Sequence, residues 1–91
     1  MAVTVLIPSP LRRFTGGAHA VNVEVASAGA ALSAVVGAFP ELAGKLLDEA
    51  GKLPPYVHVF VNSQDIGDTG GLATGVPDGG EVLIIQAISG G

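Results

Sequence analysis

Cysteine and tryptophan are absent from this 91-residue chain. Without a thiol there is no disulfide staple, no thiolate nucleophile and no cysteine-based zinc site, so the reducing cytoplasm is the expected location. Basic residues are scarce, with four Lys and Arg against eight Asp and Glu and a formal net charge of −4. No basic stripe is available to follow a phosphate backbone, and one Tyr and three Phe leave few platforms for stacked bases. Both shortages argue against nucleic-acid binding. Long apolar runs are missing too. The longest uncharged stretch, Val25 to Pro40, is diluted by Ala, Ser and Gly and falls short of the roughly 20 apolar residues a membrane-spanning helix needs. The opening Met-Ala-Val-Thr-Val-Leu-Ile-Pro carries no basic residue ahead of its apolar run, so neither a secretory signal nor a membrane partner is expected.

What is present suffices for folding. Hydrophobic residues make up 48% of the chain and charged residues 13%, enough apolar surface to offset the entropy of ordering. The length predicts a single domain over residues 1–91. A domain this small without staples depends on an efficient core, which requires a clean apolar pattern.

That pattern begins with period two. Val3, Val5 and Ile7 share one face of an extended segment, and Thr4, Leu6 and Pro8 the other. Beyond Gly16-Gly17, Val21, Val23 and Val25 alternate with Asn22 and Glu24, which predicts a β-hairpin with a long connecting loop around Arg12, Arg13 and Phe14. The period then changes. Ser27 is placed as an N-cap, and Leu32, Val35, Val36 and Phe39 form an i, i+3, i+4, i+7 stripe that predicts a helix over 28–39. Pro40 fits the first turn of a second short helix or helical turn near Glu41 to Ala50, with Leu42, Leu46 and Leu47 on its apolar face. Period two returns over Tyr56 to Asn62, where Val57, Val59 and Val61 oppose His58 and Phe60. A very short strand is expected around Gln64 to Ile66. Pro77-Asp78-Gly79-Gly80 signals a turn into a last strand over Glu81 to Ile88. The order strand, strand, helix, strand, short strand, strand predicts an α+β fold of the β-grasp, or ubiquitin-like, type, a mixed sheet with one main helix on one face. The three Val-rich faces would line the core.

Catalytic constellations are missing. The chain has no cysteine nucleophile, no phosphate-binding loop of the Walker type and no paired metal-binding histidines, and His19 and His58 lie on different elements. The carboxylates are scattered, with Asp48-Glu49 reading as a solvated helix end and Asp65 and Asp68 as turn residues. No metal site and no permanently bound cofactor are expected. The internal Gly pairs are accounted for by turns. Gly90-Gly91 is different, because it ends the chain, and at this chain's glycine frequency a terminal pair arises by chance in about 2% of sequences. Two residues without Cβ atoms make a thread that can enter a narrow channel and present an α-carboxylate to a reactive phosphate. A carboxylate needs prior activation before anything is attached to it, so the chemistry suggested is that of a carrier and not of an enzyme.

The opening Val-Thr-Val-Leu-Ile-Pro, the loop from Leu11-Arg12 to Gly16-Gly17, Phe60-Val61-Asn62, Gly70-Gly71-Leu72-Ala73-Thr74, the turn Val76 to Val82 and the ending Ala87-Ile88-Ser89-Gly90-Gly91 together resemble the ubiquitin-like sulfur carriers of the MoaD/ThiS/CysO family. The look is closest to the cysteine-biosynthesis branch. The resemblance implies that an E1-like enzyme adenylates the carboxylate of Gly91 with ATP and Mg, that Ser89 and Gly90 form the tail, and that a thiocarboxylate then delivers sulfur to a biosynthetic acceptor enzyme. Two alternatives remain open, a small subunit of molybdopterin synthase and a ubiquitin-like binding module whose Gly-Gly end is incidental. Ile84-Ile85-Gln86-Ala87 replaces the aromatics and prolines common before the diglycine in molybdopterin-synthase subunits. Independently of the resemblance, alternation places Leu6, Phe60, Leu83 and Ile85 on the sheet face away from the helix, an apolar patch expected to dock the activating partner.

Overall fold

The computed structural model describes residues 2–48 and 50–86. Five strands form one mixed sheet in the order β2-β1-β5-β3-β4, with β1 at Ala2–Leu6, β2 at Ala20–Glu24, β3 at Val57–Val61, β4 at Gln64–Asp65 and β5 at Glu81–Gln86. The helix α1, Ala28–Ala38, follows β2. This is the expected β-grasp. Strands β1 and β2 pair antiparallel with Val5 opposite Val21, while β1 and β5 pair parallel with Leu6 opposite Leu83. The first and last strands therefore lie side by side at the centre.

Local chemistry sets the boundaries. The Ser27 side chain accepts a hydrogen bond from the Ala30 amide at 3.2 Å and caps α1, which ends where Pro40 has no amide to continue it. The turn before β5 is clamped onto β1. Asp78 Oδ1 accepts from the Ala2 amide at 2.7 Å, the Gly79 amide donates to the Ala2 carbonyl at 2.7 Å, and the Thr4 amide donates to the Gly80 carbonyl at 3.0 Å. Gly80 is required by close approach, because a Cβ there would lie 2.8 Å from the Pro77 carbonyl oxygen and 2.9 Å from Val76 Cγ1. Asn62 and Ser63, both at positive φ, turn β3 directly into β4.

The inner face carries the core. Val3, Val5, Ile7, Val57, Val59, Val61, Val82 and Ile84 are buried beneath Ala28, Ala31, Leu32 and Val35 of α1. Three expectations need correction. Val21 and Val23 pack against the core but are only half-buried, because β2 is an edge strand with a neighbour on one side only, and Val25, just beyond β2, is half-buried against the core as well. The helix stripe begins at Ala28 and runs through Ala31, Leu32 and Val35, which leaves Val36 and Phe39 half-buried against the core. Finally, the helical turn expected near Glu41 to Ala50 is confined to a 3₁₀ segment, Pro40–Leu42, after which Gly44 takes φ +82° and the chain proceeds by turns. Leu42 and Leu46 are fully buried all the same. Glu49, Ala87 and Ile88, which belonged to the expected second helix and last strand, lie outside the described residues.

Candidate functional site

The outer face of the sheet divides into two halves. Near the start of β1 it is polar, with Thr4 Oγ1 donating to Asn22 Oδ1 at 3.0 Å and Glu24 and Glu81 exposed nearby on β2 and β5. Near the end of β1 it is apolar. Leu83 of β5 is the register partner of Leu6 on one side and of Phe60 on the other, so three large side chains form a row across three adjacent strands. At ordinary strand spacing the row spans about 10 Å. Ile85 stands one step further along β5, opposite His58 of β3. The structure thus brings together all four residues expected on this face. Their exposure is uneven: Leu83 is 37% and Ile85 42% exposed, whereas Leu6 and Phe60 are half-buried by their neighbours. None of the fully buried residues contributes to this face.

Parallel pairing has a second consequence. Beyond Leu83, β5 runs on through Ile84 and Ile85 to Gln86, past the level of Leu6, so its described end lies at the same end of the sheet as that of β1. Gln86 pairs with Val57 there. The apolar row therefore lies at the base of the C-terminal segment. Ser89, Gly90 and Gly91 themselves lie outside the described residues.

Among the described residues neither histidine forms part of a constellation. His19 precedes β2 at one edge of the sheet, and His58 is in β3 with two strands between. Among the described residues no group of three or more His, Asp or Glu is placed to hold a metal ion. No helix among them is long and apolar enough to cross a membrane. Two features were missed from sequence. Tyr56, the first residue of the expected strand, lies instead in the turn just ahead of β3 and is 40% exposed. The other is a cluster in which Arg13 Cζ lies 4.9 Å and Lys45 Nζ 4.7 Å from the centre of the Phe14 ring. Lys45 is remote from Phe14 in sequence, so no local spacing signals that contact.

With this geometry in hand, the relatives fall into one group. A family model described as the ThiS family matches residues 5–91. The chain is 39% identical over 93 residues to the sulfur carrier protein CysO of Mycobacterium tuberculosis, each chain being covered in full. The crystal structure of Mycobacterium tuberculosis CysO superposes with a TM-score of 0.85 at 38% identity, covering 94% of this chain and 99% of that one. A chain of the Amycolatopsis orientalis BexX/CysO complex superposes with a TM-score of 0.90 at 36% identity, covering 99% of this chain and 100% of that one.

Proposed function

The chain belongs to the ThiS family and is a sulfur carrier protein, and on that premise we propose that sulfur rides on the α-carboxyl group of Gly91. The observation that carries this reading is the family match that runs through residue 91, joined to the Gly90-Gly91 ending. In the proposed reaction a carboxylate oxygen of Gly91 attacks the α-phosphorus of ATP, held with Mg on an E1-like partner, and pyrophosphate leaves. A sulfide-equivalent nucleophile then attacks the acyl carbon and AMP departs, leaving a thiocarboxylate. The net change in the carrier is one oxygen replaced by sulfur. The carrier contributes a substrate and no catalytic side chain. The lack of cysteine suits this role, since no internal thiol competes for the acyl-adenylate.

The remaining residues serve delivery. Gly90 and Ser89 keep the thread narrow, and Leu6, Phe60, Leu83 and Ile85 dock the E1-like enzyme at the base of the tail, where burial of apolar area holds the carboxyl group in register with the nucleotide. The destination proposed is an acceptor enzyme of cysteine formation, on the resemblance to that branch of carriers. Intact-mass measurement after incubation with ATP, Mg, the E1-like enzyme and a sulfur donor tests the reading. A carrier gains the mass difference between sulfur and oxygen and loses it on adding the acceptor. An unchanged mass in the presence of an active E1-like enzyme reduces the chain to a binding module.

A further inference from the structure

Four of the chain's six prolines border the two strands that flank β5: Pro8 and Pro10 follow β1, and Pro54 and Pro55 precede β3. Backbone hydrogen bonds show why their positions matter. Along β1 the Ile7 amide donates to the His19 carbonyl at 2.9 Å, on the β2 side, and the Thr4 amide to the Gly80 carbonyl at 3.0 Å, on the β5 side. Even-numbered residues of β1 therefore turn their amides toward β5. After Leu6 the next is position 8, where proline has no N–H. The Pro8 carbonyl is also spent, accepting from the Leu11 amide at 2.9 Å as the 3₁₀ segment Ser9–Thr15 begins. The β3 side repeats the arrangement. The Asn62 amide donates to the Glu81 carbonyl at 3.0 Å, so even-numbered residues of β3 face β5 as well. Counting back through Phe60, His58 and Tyr56 leads to Pro54, which has no amide to give and whose carbonyl accepts from the Val57 amide at 3.1 Å.

In the register that pairs Leu6 with Leu83 and Val57 with Gln86, position 8 corresponds to Ile85 and position 54 to Ser89. Both ladders beside β5 are thus closed by a proline within a few residues of its described end, and Tyr56 holds the last amide that either neighbour offers. Ala87-Ile88 continues the apolar character of β5, so continued pairing would be the default if donors were present. We propose that Pro8 and Pro54 are positioning residues for the charging reaction: they keep the sheet from taking up the segment that ends in Gly91, so that the E1-like enzyme takes it up instead. The proposal rests on the sulfur-carrier reading above and adds what, in this chain, keeps the carboxyl group deliverable. Five residues follow Gln86, at most about 17 Å of extended chain, and each one captured by the sheet shortens the reach into a narrow channel by about 3.3 Å. One backbone hydrogen bond shifts such an equilibrium about two- to tenfold, so one or two restored donors make the sheet a competitor.

The test joins amide hydrogen exchange, resolved by residue with NMR, to charging kinetics of the full chain with the E1-like enzyme. Pro8→Val with Pro10→Val restores amides beside β1, and Pro54→Val with Pro55→Val restores them beside β3. Each pair is expected to slow exchange beyond Ile85 about threefold or more. Each is also expected to raise the KM for the carrier about three- to tenfold at unchanged kcat, because capture lowers the competent fraction and leaves the chemistry alone. Pro40→Val, at a proline that follows α1 and borders no strand, moves neither quantity. Circular dichroism verifies that each variant is folded. Unchanged exchange in the folded flank variants overturns the inference, and so does a raised KM without slowed exchange, which would assign the prolines a direct contact with the enzyme. Where a flank pair fails to fold, the wild type decides: protection of amides beyond Ala87 overturns the inference, and protection that stops there supports it. The exchange measurement needs no enzyme. Failure of the wild-type chain to be charged therefore overturns the sulfur-carrier reading itself, whereas normal charging with indifferent flank variants overturns only this inference.

Discussion

Replacing Ile85 tests the outer face most cleanly. Full burial of an Ile side chain contributes about 1.5–3 kcal/mol, and the side chain here keeps 42% of its surface exposed for a partner to cover. Truncation by Ile85→Ala is therefore expected to cost about 1 kcal/mol of binding, or about fivefold in Kd. Ile85→Asp adds an unpaired charge in a desolvated contact and is expected to cost about 2 kcal/mol or more, about thirtyfold in Kd. Leu83→Asp should behave alike, since Leu83 is 37% exposed and lies at the centre of the row. Phe60 and Leu6 are poorer probes. Both are half-buried, so a charge there also disturbs the sheet and mixes folding with docking. The fold should survive at 85 and 83, because the inner face of β5 is held by Val82 and Ile84. Calorimetric titration of each variant against the E1-like enzyme, with circular dichroism on the same samples, makes the comparison. Wild-type affinity in both folded Asp variants would place docking on another surface and refute the reasoning.

Gly90→Val is expected to leave the melting temperature unchanged and abolish adenylation, because a branched side chain widens the thread; pyrophosphate release at the wild-type rate would contradict it. Gly80→Ala forces a methyl group against the Pro77 carbonyl at 2.8 Å, and is expected to cost about 2 kcal/mol and lower the melting temperature by about 10 °C in thermal circular dichroism. An unchanged melting temperature would mean that the turn relaxes freely. Thr15→Val removes the hydroxyl shared by the Arg12 and Ala18 carbonyls and is expected to destabilise the domain by about 1–2 kcal/mol in urea titration, with no change in docking affinity once folded.

The elements that were legible in the sequence are those whose signal is local. Strands β1, β2, β3 and β5 alternate over five or six residues each, and Ser27 marks the start of α1 by a hydrogen bond that only a short polar side chain can make. The segment after Pro40 misled for a related reason. Leu42 and Leu46 have helical spacing and are buried, but Gly44 at positive φ breaks the helix between them, so the same residues reach the core through a turn. Apolar spacing reports burial; it does not by itself report the backbone that delivers it. The outer face shows the same limit. Period two assigned Leu6, Phe60, Leu83 and Ile85 to one side correctly, yet could not tell which of them neighbouring strands would cover, since that depends on the sheet order β2-β1-β5-β3-β4. Arg13, Phe14 and Lys45 carry no periodic signal, because tertiary folding alone brings Lys45 to the ring.

Two faces of the same strands separate stability from recognition. Each step along β5 alternates a residue that α1 covers with one that the solvent side presents: Val82 and Ile84 are buried, Leu83 and Ile85 exposed. A carrier must be recognised by an enzyme that charges it and by one that discharges it, and then be released, so its contacts cannot be those that hold it folded. Marginal stability makes that separation valuable, because a domain of this size has only several kcal/mol to lose. The parallel neighbours β1 and β5 then decide where recognition takes place. Reversing either strand would send the end of β5 to the polar half of the outer face, beside Thr4 and Asn22. In the observed arrangement the described end of β5 lies beside the apolar row, so an enzyme that grips this row also meets the base of the tail.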